Sequence, residues 1–295
     1  MSLGDSNMPA ILLILALFWI GEAFAGEGSV TGGEFDYVVK KGDSLVGLGA
    51  RFGVPSKLIA SANGLKYNAR LMPGMRLRLD NRHVVPQGME DGILINLPQR
   101  MLFRFMQGRL DAAYPVGLGK PSWPTPSGEF TIVDHERDKV WVVPKSIQEE
   151  MKREGKPVLT RVPPGPENPL GRYWMGLSIG GYGIHGTLAP ASVYHFQSHG
   201  CIRMQPEHIE ALFDKVGKGT RGRLIYRPLL IAASENGRIL MEADPDIYRK
   251  RFDYLKAAHE IAGPLESRID WKIAGEVIAR RDGIARDVTL EKGVD

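Results

Sequence analysis

The single cysteine of this 295-residue chain, Cys201, follows Ser198-His199-Gly200 and precedes Ile202-Arg203. A second histidine, His185, lies earlier in the run Ile184-His185-Gly186-Thr187. The thiolate is the reactive form of cysteine, and a nearby imidazole both takes the thiol proton and stabilises the resulting charge. These residue types predict nucleophilic catalysis, with Cys201 as the nucleophile and His185 as the general base.

The residues next to these two fit the same chemistry. Gly200 carries no side chain and lets a substrate carbonyl approach the backbone, so we expect the amides of Gly200 and of the cysteine to form an oxyanion hole. The carbonyl of Gly186 is expected to orient the His185 ring. Arg203 is a fixed cation, suited to a substrate carboxylate or to holding a loop. His199 is either a second proton relay or a residue that holds the loop.

Two other interpretations of the cysteine stay open. A lone cysteine is often a small buried hydrophobe, although a glycine before it and an arginine two residues after it are unusual neighbours for a core position. A metal site is the other interpretation, because four ligand types fall in this part of the chain: His185, His195, His199 and Cys201. A structural zinc site needs about four ligands from paired turns, and the chain has no second cysteine, so we predict no metal here.

The N-terminal residues predict export from the cytoplasm. An apolar run, Met8 to Ile20, is followed by Ala23-Phe24-Ala25, the small-x-small pattern that signal peptidase recognises. We predict a signal peptide over residues 1–25; an uncleaved anchor is the alternative, although the apolar run is shorter than the roughly 20 residues of a spanning helix. The formal net charge is +4 and no segment concentrates basic residues, so we predict no nucleic-acid partner.

A compact module is predicted over residues 36–80. Tyr37 to Lys40 has the pattern of a strand, and Asp43 or Ser44 is placed to cap a first helix. Pro55 opens a second helix, which ends at Asn63-Gly64. Met75 to Leu79 alternates apolar and basic residues, as a half-buried strand does. The predicted order is strand, helix, helix, strand.

This module resembles the LysM domain. The resemblance rests on Tyr37 to Leu45, Asn63-Gly64-Leu65 and Leu71 to Leu77. It implies binding to peptidoglycan or other glycans that contain N-acetylglucosamine, in a groove between the first turn and the loop 63–68. A LysM fold that serves only as a spacer is the alternative. The residues implied for glycan binding are Gly42, Asp43, Ser44 and Asn63.

The rest of the chain divides into three further parts. Residues 81–91 are predicted to be a polar linker, and residues 92–234 are predicted to form a mainly β domain, because short apolar segments recur there between glycine and proline turns. Two helices interrupt this domain, one with a capping box of Ser146 and Glu149 and one that begins at Pro206. Residues 235–295 are predicted to be a helical segment, with Tyr248, Phe252, Leu255 and Ile261 on one apolar face and Trp271, Ile273 and Ile278 on a second helix.

The residues around the thiol resemble the L,D-transpeptidase catalytic domain (YkuD). The resemblance spans roughly Gly92 to Pro228 and rests on four runs: Thr125 to Phe130, Pro163 to Gly171, Ile184 to Thr187 and Ser198 to Met204. It implies a β-sandwich of YkuD type with no cofactor. It also implies roles for seven residues: Cys201 as nucleophile, His185 as acid/base, Gly186 as the carbonyl that orients it, Ser198, His199 and Gly200 around the oxyanion, and Arg203 in the substrate pocket.

The same resemblance implies a reaction on peptidoglycan in the periplasm. The cysteine attacks the bond between the diamino acid and the terminal D-alanine of a tetrapeptide stem, and a thioester forms. A second stem amine as acceptor gives a 3→3 cross-link, a lipoprotein lysine gives wall anchoring, and water makes the enzyme an L,D-carboxypeptidase. A non-catalytic peptidoglycan-binding scaffold and a general cysteine peptidase are the competing functions.

Overall fold

The computed structural model describes residues 29–291. The predicted signal peptide, residues 1–25, lies outside this range. Within residues 29–291, no helix combines the length and the apolar character that crossing a membrane requires.

The first module has two helices and four short strands, which form two antiparallel pairs. Its elements are β1 (Val30–Thr31), β2 (Glu34–Val38), α1 (Leu45–Phe52), α2 (Ser56–Ala62), β3 (Arg76–Asp80) and β4 (His83–Val84). Ser44 caps α1, because its Oγ accepts a hydrogen bond from the Gly47 amide, and Gly53 ends the helix in the left-handed conformation. Glu34 pairs with Asp80 as β2 runs antiparallel to β3. The predicted order of strand, helix, helix, strand is confirmed.

The central region is built around one eight-stranded sheet. Its elements are β5 (Gly92–Asn96), β6 (Met101–Met106), β7 (Arg109–Pro115), β8 (Leu118–Gly119), β9 (Gly128–Arg137), β10 (Trp141–Val142), α3 (Lys145–Arg153), β11 (Arg161–Val162), β12 (Tyr173–Leu177), β13 (Gly183–His185), β14 (Phe196–Ser198), β15 (Ile202–Arg203), α4 (Pro206–Phe213) and β16 (Arg221–Ile225). The large sheet has the order β15-β13-β12-β9-β16-β5-β6-β7. Its neighbours are antiparallel except for β13 with β15 and β16 with β5. The predicted mainly β class is confirmed.

Apolar residues cover both faces of the sheet. Ile93 and Ile95 belong to the main core, which α4 also contacts, whereas Leu94 and Phe103 belong to a second core on the opposite face. Alternate side chains of a strand point to opposite faces, so a run such as Ile93 to Leu97 is expected where both faces are covered.

The structure confirms one of the two helix starts in this region and corrects the other. Pro206 is the first residue of α4, as predicted. Helix α3 begins at Lys145 after Pro144 and has no side-chain cap. Ser146 therefore lies inside the first turn, and the predicted capping box with Glu149 is wrong. A capping box requires its serine immediately before the helix, and here the proline sets an earlier start.

The C-terminal segment combines a small sheet with two helices. Its elements are β17 (Leu229–Ala233), β18 (Ile239–Ala243), α5 (Tyr254–Ala262), α6 (Trp271–Arg280) and β19 (Arg286–Asp287). The strands form an antiparallel sheet in the order β17-β18-β19. The hairpin β17–β18 crosses the predicted boundary between residues 234 and 235, and the prediction of a purely helical segment misses β18 and β19. Strand β18 is buried along its whole length, so it lacks the alternation that marks a half-buried strand.

The buried faces of the C-terminal helices agree with the prediction only in part: Phe252, Trp271 and Ile278 pack against the core of this segment, but three other predicted residues are exposed. Leu255 is 59% exposed, Ile261 39% and Ile273 39%. Small side chains instead face the core, because Ala258, Ala262 and Ala274 are fully buried against β17 and β18. Alanine allows the helices to lie close to the sheet, and these three larger apolar residues remain on the outside.

Three parts of the chain meet at one buried ion pair. His83 Nδ1 in β4 lies 2.8 Å from Glu242 Oε1 in β18, and its Nε2 lies 2.8 Å from the carbonyl oxygen of Gly53 at the end of α1. The Gln99 amide donates to the other Glu242 oxygen at 2.9 Å. Ile284, near the end of the chain, packs into the apolar core of the first module. The first module is thus joined to the C-terminal segment by buried polar and apolar contacts.

The same junction contains unusual titrating groups. Burial alone would lower the pKa of His83, but the Glu242 carboxylate outweighs it and the pKa is raised. Asp244 follows two residues after Glu242, and burial, aided by the neighbouring Glu242, raises the pKa of Asp244 to about 7. A guanidinium nitrogen of Arg100 lies 3.4 Å from the Asp244 carboxyl. The Asp244 carboxyl is therefore largely neutral below pH 7.

We expect Asp244→Asn to gain stability relative to the unchanged protein as the pH rises from about 4 to about 7. In this window the unfolded carboxyl is ionised and the folded one still holds its proton, so the unfolded state binds fewer protons and stability falls with pH. The asparagine variant lacks this titration. Urea unfolding at several pH values measures the difference between the two proteins. Glu129→Gln, which removes an exposed carboxylate, is the control; equal pH slopes for Asp244→Asn and the unchanged protein would contradict the expectation.

Candidate active site

The site is formed by the parallel pair β13 and β15. Ile184 is paired with Ile202, and His185 with Arg203. Both isoleucines are fully buried in the main core. Because alternate residues of a strand point to opposite faces, His185 and Arg203 lie on the other face of the sheet. Cys201 precedes Ile202 and shares that face with Arg203, so thiol, imidazole and guanidinium lie on one face of the sheet, where the Arg203 charge acts on both other groups.

The segment before the thiol is held by its own serine. Ser198 Oγ accepts a hydrogen bond from the Gly200 amide at 3.1 Å and donates one to the carbonyl of Cys201 at 2.6 Å. Ser198 is 2% exposed. Gly200 has φ of 102°, and a Cβ there would lie 2.5 Å from the ring of Tyr182. Glycine is therefore required at position 200 by conformation and by space.

This arrangement changes the expected oxyanion hole. The Gly200 amide already donates to Ser198, so it is not available to a substrate oxygen in this conformation. Within residues 29–291, the Cys201 amide has no hydrogen-bond acceptor. The expectation of two donors, Gly200 and Cys201, is thus reduced to the Cys201 amide.

The thiol of Cys201 is half-buried and lies 3.9 Å from the carbonyl oxygen of Gly181. Burial raises the pKa of the thiol above its ordinary value, while hydrogen bonding from the Gly183 amide and the charge of Arg203 act in the opposite direction. The net shift is upward. At neutral pH the thiol is therefore protonated in this structure.

His185 is 5% exposed and held by the backbone. Its Nδ1 lies 2.6 Å from the carbonyl oxygen of Gly186, which leaves Nε2 as the other ring nitrogen for proton transfer. Burial, with the nearby charge of Arg203, lowers the pKa of His185 to about 4. A neutral imidazole at pH 7 is the protonation state that a general base requires.

Arg203 is fixed between the sheet and the loop that joins the histidine to the cysteine. Its backbone pairs with Gly117 on the side away from β13, and one guanidinium nitrogen lies 3.4 Å from Ser192 Oγ. Burial lowers the pKa of Arg203, but the ordinary pKa of a guanidinium lies far above neutral pH, so the side chain remains a cation there.

His199 connects the nucleophile segment to helix α3. Its Nε2 makes a short hydrogen bond with the Glu150 carboxylate of α3, and Lys120 Nζ lies 2.8 Å from the other oxygen of that carboxylate. The rings of His199 and Trp123 are perpendicular, with centroids 4.7 Å apart. Hydrogen bonds from Lys120 and His199 hold the pKa of Glu150 below its usual value. Of the two roles left open by the sequence, this geometry favours that of holding the loop.

Trp174 is a site residue that the sequence analysis did not identify. Trp174 lies in β12 and is paired with His185 in the neighbouring strand β13. Its ring is stacked beside the imidazole, with centroids 5.8 Å apart. A Cβ on Gly183 would lie 2.4 Å from this ring, so the indole occupies the space above that glycine. The buried alternation of Tyr173, Met175 and Leu177 places Trp174 on the opposite face. The sequence does not show the register of β12 with β13, which is what brings Trp174 beside His185.

The residues expected to bind glycan lie in the first module. Gly42 has φ of 93° and open space where a Cβ would be. Asp43 accepts hydrogen bonds from the Tyr37 hydroxyl and the Lys40 amide, and Ser44 caps α1. The Asn63 amide group makes three hydrogen bonds with the backbone of Ile59 and Arg78. Asn63 thus joins α2 to β3, and its side chain is already occupied.

The candidate metal ligands do not converge. In the part of the chain that the structure describes, no three side chains among His, Cys, Asp and Glu come together as a metal site. His195, one of the four candidates, belongs to the loop before β14 rather than to the face of the sheet that carries His185.

Comparisons with known proteins agree with the motifs. The family model of the L,D-transpeptidase catalytic domain (YkuD) matches residues 90–226, and that of the LysM domain matches residues 37–80. The chain is 29% identical over 228 residues to a Salmonella typhimurium protein named "Probable L,D-transpeptidase ErfK/SrfK", a match that covers 73% of each chain. It is 30% identical over 188 residues to a Bacillus subtilis protein named "Putative L,D-transpeptidase YkuD", covering 63% of this chain and 95% of that protein.

A solved structure is also similar to part of the chain. The catalytic domain of an Enterococcus faecium L,D-transpeptidase, determined by NMR, shares 25% identity with it at a TM-score of 0.33. The match covers 46% of this chain and 98% of that domain.

We expect Ser198→Ala to destabilise the protein by about 1–3 kcal/mol, because the buried Gly200 amide loses its acceptor. Thermal or urea unfolding measures this change. Ser178→Ala is a matched control, since Ser178 Oγ accepts a hydrogen bond from the Thr131 amide at an exposed position. Similar losses of stability in the two variants would contradict the expectation, because the buried hydrogen bond to Ser198 would then contribute no more than an exposed one.

The pH dependence of thiol alkylation gives a second test. Cys201 is the only cysteine in the chain, so iodoacetamide reports on it alone. Because the thiol pKa is raised above 9.0, we expect the rate to keep rising with pH without a plateau at neutral pH. Arg203→Gln should move the profile to higher pH, since the guanidinium favours the thiolate. Arg223→Gln, in an exposed ion pair, is the control; a plateau below pH 7 in the unchanged protein would be inconsistent with a neutral resting thiol.

Proposed function

Because the chain belongs to the L,D-transpeptidases with a YkuD-type catalytic domain, we propose that it cleaves peptidoglycan tetrapeptide stems through a thioester on Cys201 and transfers the acyl group to an amine. The observation that carries the proposal is the pairing of β13 with β15, which places Cys201 and a buried, neutral His185 on one face of the sheet. A nucleophile beside an oriented base is the arrangement that acyl transfer requires.

In the first half-reaction, Cys201 Sγ attacks the carbonyl carbon of the diamino acid while His185 takes the thiol proton. The oxyanion receives a hydrogen bond from the Cys201 amide. The C–N bond to D-alanine then breaks, His185 returns the proton to the leaving amine, and a thioester remains. In the second half-reaction, an acceptor amine attacks this thioester and loses a proton to His185; the C–S bond breaks, and His185 returns the proton to the departing sulfur, which regenerates the thiol.

The neutral resting states of Cys201 and His185 suit these proton transfers. The raised pKa of Cys201 and the lowered pKa of His185 keep the proton on sulfur until attack begins. The proton then moves as the S–C bond forms, which is general base catalysis rather than attack by a preformed ion pair. Arg203 remains charged on the same face and is suited to a carboxylate of the stem.

We assign the module at residues 37–80 the role of holding the enzyme on the glycan strands of the wall. The proposed groove lies between the turn of Gly42, Asp43 and Ser44 and the loop 63–68. Since the Asn63 side chain is occupied by the backbone, the loop contributes through its backbone and through Tyr67, which is 68% exposed. This role fits a protein exported to the periplasm, where peptidoglycan lies. No metal or organic cofactor enters the proposed steps.

The first experiment is incubation with disaccharide tetrapeptides that contain diaminopimelate, with products identified by mass spectrometry. We expect release of D-alanine together with cross-linked dimers, and loss of both in Cys201→Ala. Binding of the variant to intact peptidoglycan should persist, because the module at residues 37–80 is unchanged.

Other outcomes of this experiment separate the competing functions. Monomeric tripeptides would show that water is the acceptor and the protein is an L,D-carboxypeptidase. Transfer to a lysine-containing peptide but not to a second stem would indicate lipoprotein anchoring. Cleavage of ordinary L-peptides would indicate a general cysteine peptidase. The absence of any cysteine-dependent product would leave a peptidoglycan-binding scaffold.

A further inference from the structure

The C-terminal segment reaches the nucleophile segment through one side chain, Tyr248. This residue lies between β18 and α5, outside the matched catalytic domain at residues 90–226. Its hydroxyl donates to the carbonyl of Gly119 at 2.8 Å and accepts from the amide of Thr125 at 3.2 Å. Tyr248 thereby holds both ends of the loop 119–125.

That loop in turn holds the residue before the nucleophile. Thr125 Oγ1 donates to the carbonyl of Gly200 at 2.9 Å and accepts from the Gly119 amide at 2.9 Å. Thr125 is 2% exposed, so water does not replace these bonds readily. The path from Tyr248 to Cys201 therefore consists of two hydrogen bonds and one peptide unit.

The two segments cross at close range. A Cβ on Gly119 would lie 3.0 Å from Gly200 Cα and 2.7 Å from the Thr125 amide. On the other side of Gly200, the Tyr182 ring fills the space. A peptide unit packed this closely transmits small displacements to its neighbours, because cores are dense and have few voids.

Tyr248 is itself fixed in place. Its ring stacks on Tyr226 with centroids 5.7 Å apart and meets the edge of Phe196 at 5.8 Å. Its amide donates to the Tyr226 hydroxyl at 3.0 Å, and that hydroxyl donates to Asp246 at 2.6 Å. The turn that carries Tyr248 is organised by the Asp246 carboxylate, which also accepts hydrogen bonds from the amides of Lys250 and Phe252.

We propose that Tyr248 is a positioning residue for the nucleophile: through Thr125 it fixes the peptide of Gly200, and so the direction of the Cys201 thiol and amide. The proposal rests on the proposed acyl-transfer function. It gives the C-terminal segment a role in the reaction without contact with the substrate. When the Tyr248 hydroxyl is removed, Thr125 loses the acceptor of its amide and the Gly119 carbonyl loses its donor. The Gly200 carbonyl is then held less firmly, and the Cys201 amide no longer points at one position.

The test compares three variants of the full chain: Tyr248→Phe, Thr125→Val and the double variant. We expect each single variant to lower kcat by about 10- to 100-fold with little change in KM, because misplacement of a reacting group affects the chemical step more than binding. The double variant should be no slower than the slower single variant, since both act on the same contact with Gly200. Tyr254→Phe is the matched control, because that hydroxyl donates to the carbonyl of Asp244, away from the loop.

A second readout does not depend on turnover. Hydrogen exchange of a peptide covering residues 198–203 should be faster in Tyr248→Phe and Thr125→Val than in the unchanged protein and in Tyr254→Phe. If the unchanged protein releases no D-alanine from any stem, the proposed function fails, and the exchange measurement still decides the coupling. Unchanged kcat and unchanged exchange in Tyr248→Phe would overturn the inference. Additive losses in the double variant, or equal losses in Tyr254→Phe, would also overturn it, because they indicate a general structural effect.

Discussion

The parallel pairing of β13 with β15 is the constraint on which the site depends. The pairing of Ile184 with Ile202 places two fully buried side chains in the core, and the same register sends His185 and Arg203 to the opposite face. A shift by one residue would exchange the two faces, moving the isoleucines out of the main core and the polar groups into it. The hydrophobic effect therefore enforces the alignment of the residues that carry the chemistry.

Burial of this face sets the protonation states. It raises the pKa of Cys201 and lowers that of His185, so both groups are neutral before reaction. The charge of Arg203 acts to lower the pKa of both groups: it supports burial at His185 and opposes it at Cys201, where burial is the larger effect. The backbone then determines direction: the Gly186 carbonyl holds one nitrogen of the histidine, and the Ser198 hydroxyl ties the segment around the cysteine.

The sequence predicts the reacting residues of the site better than it predicts the residues that hold them in position. Cys201, His185 and Gly186 stand out because their types and local motifs are readable without a fold. Trp174, Thr125 and Tyr248 act through register and through contacts between distant segments, which local patterns do not encode. The same limit explains the errors in the fold. Helix α3 begins one residue before Ser146 because of Pro144, and helices α5 and α6 bury alanines where the pattern favours Leu255 and Ile273.

The C-terminal segment contacts both the first module and the region that carries Cys201, and so connects the two. It provides Glu242, which neutralises the buried His83, and Ile284, which completes the apolar core of the first module. At its other side it provides Tyr248, which holds the loop beside Gly200.

Helix α1 of the first module also packs against the 3-10 helix Pro190–Ser192, in the loop that joins His185 to Cys201. Arg51 of α1 lies 3.3 Å from Glu207 in α4. A module with this many buried partners is not a freely tethered anchor, because separating it would leave the charge of Glu242 and the polar groups of His83 buried without partners. The orientation of the proposed glycan groove relative to Cys201 is therefore a property of the fold rather than of a linker.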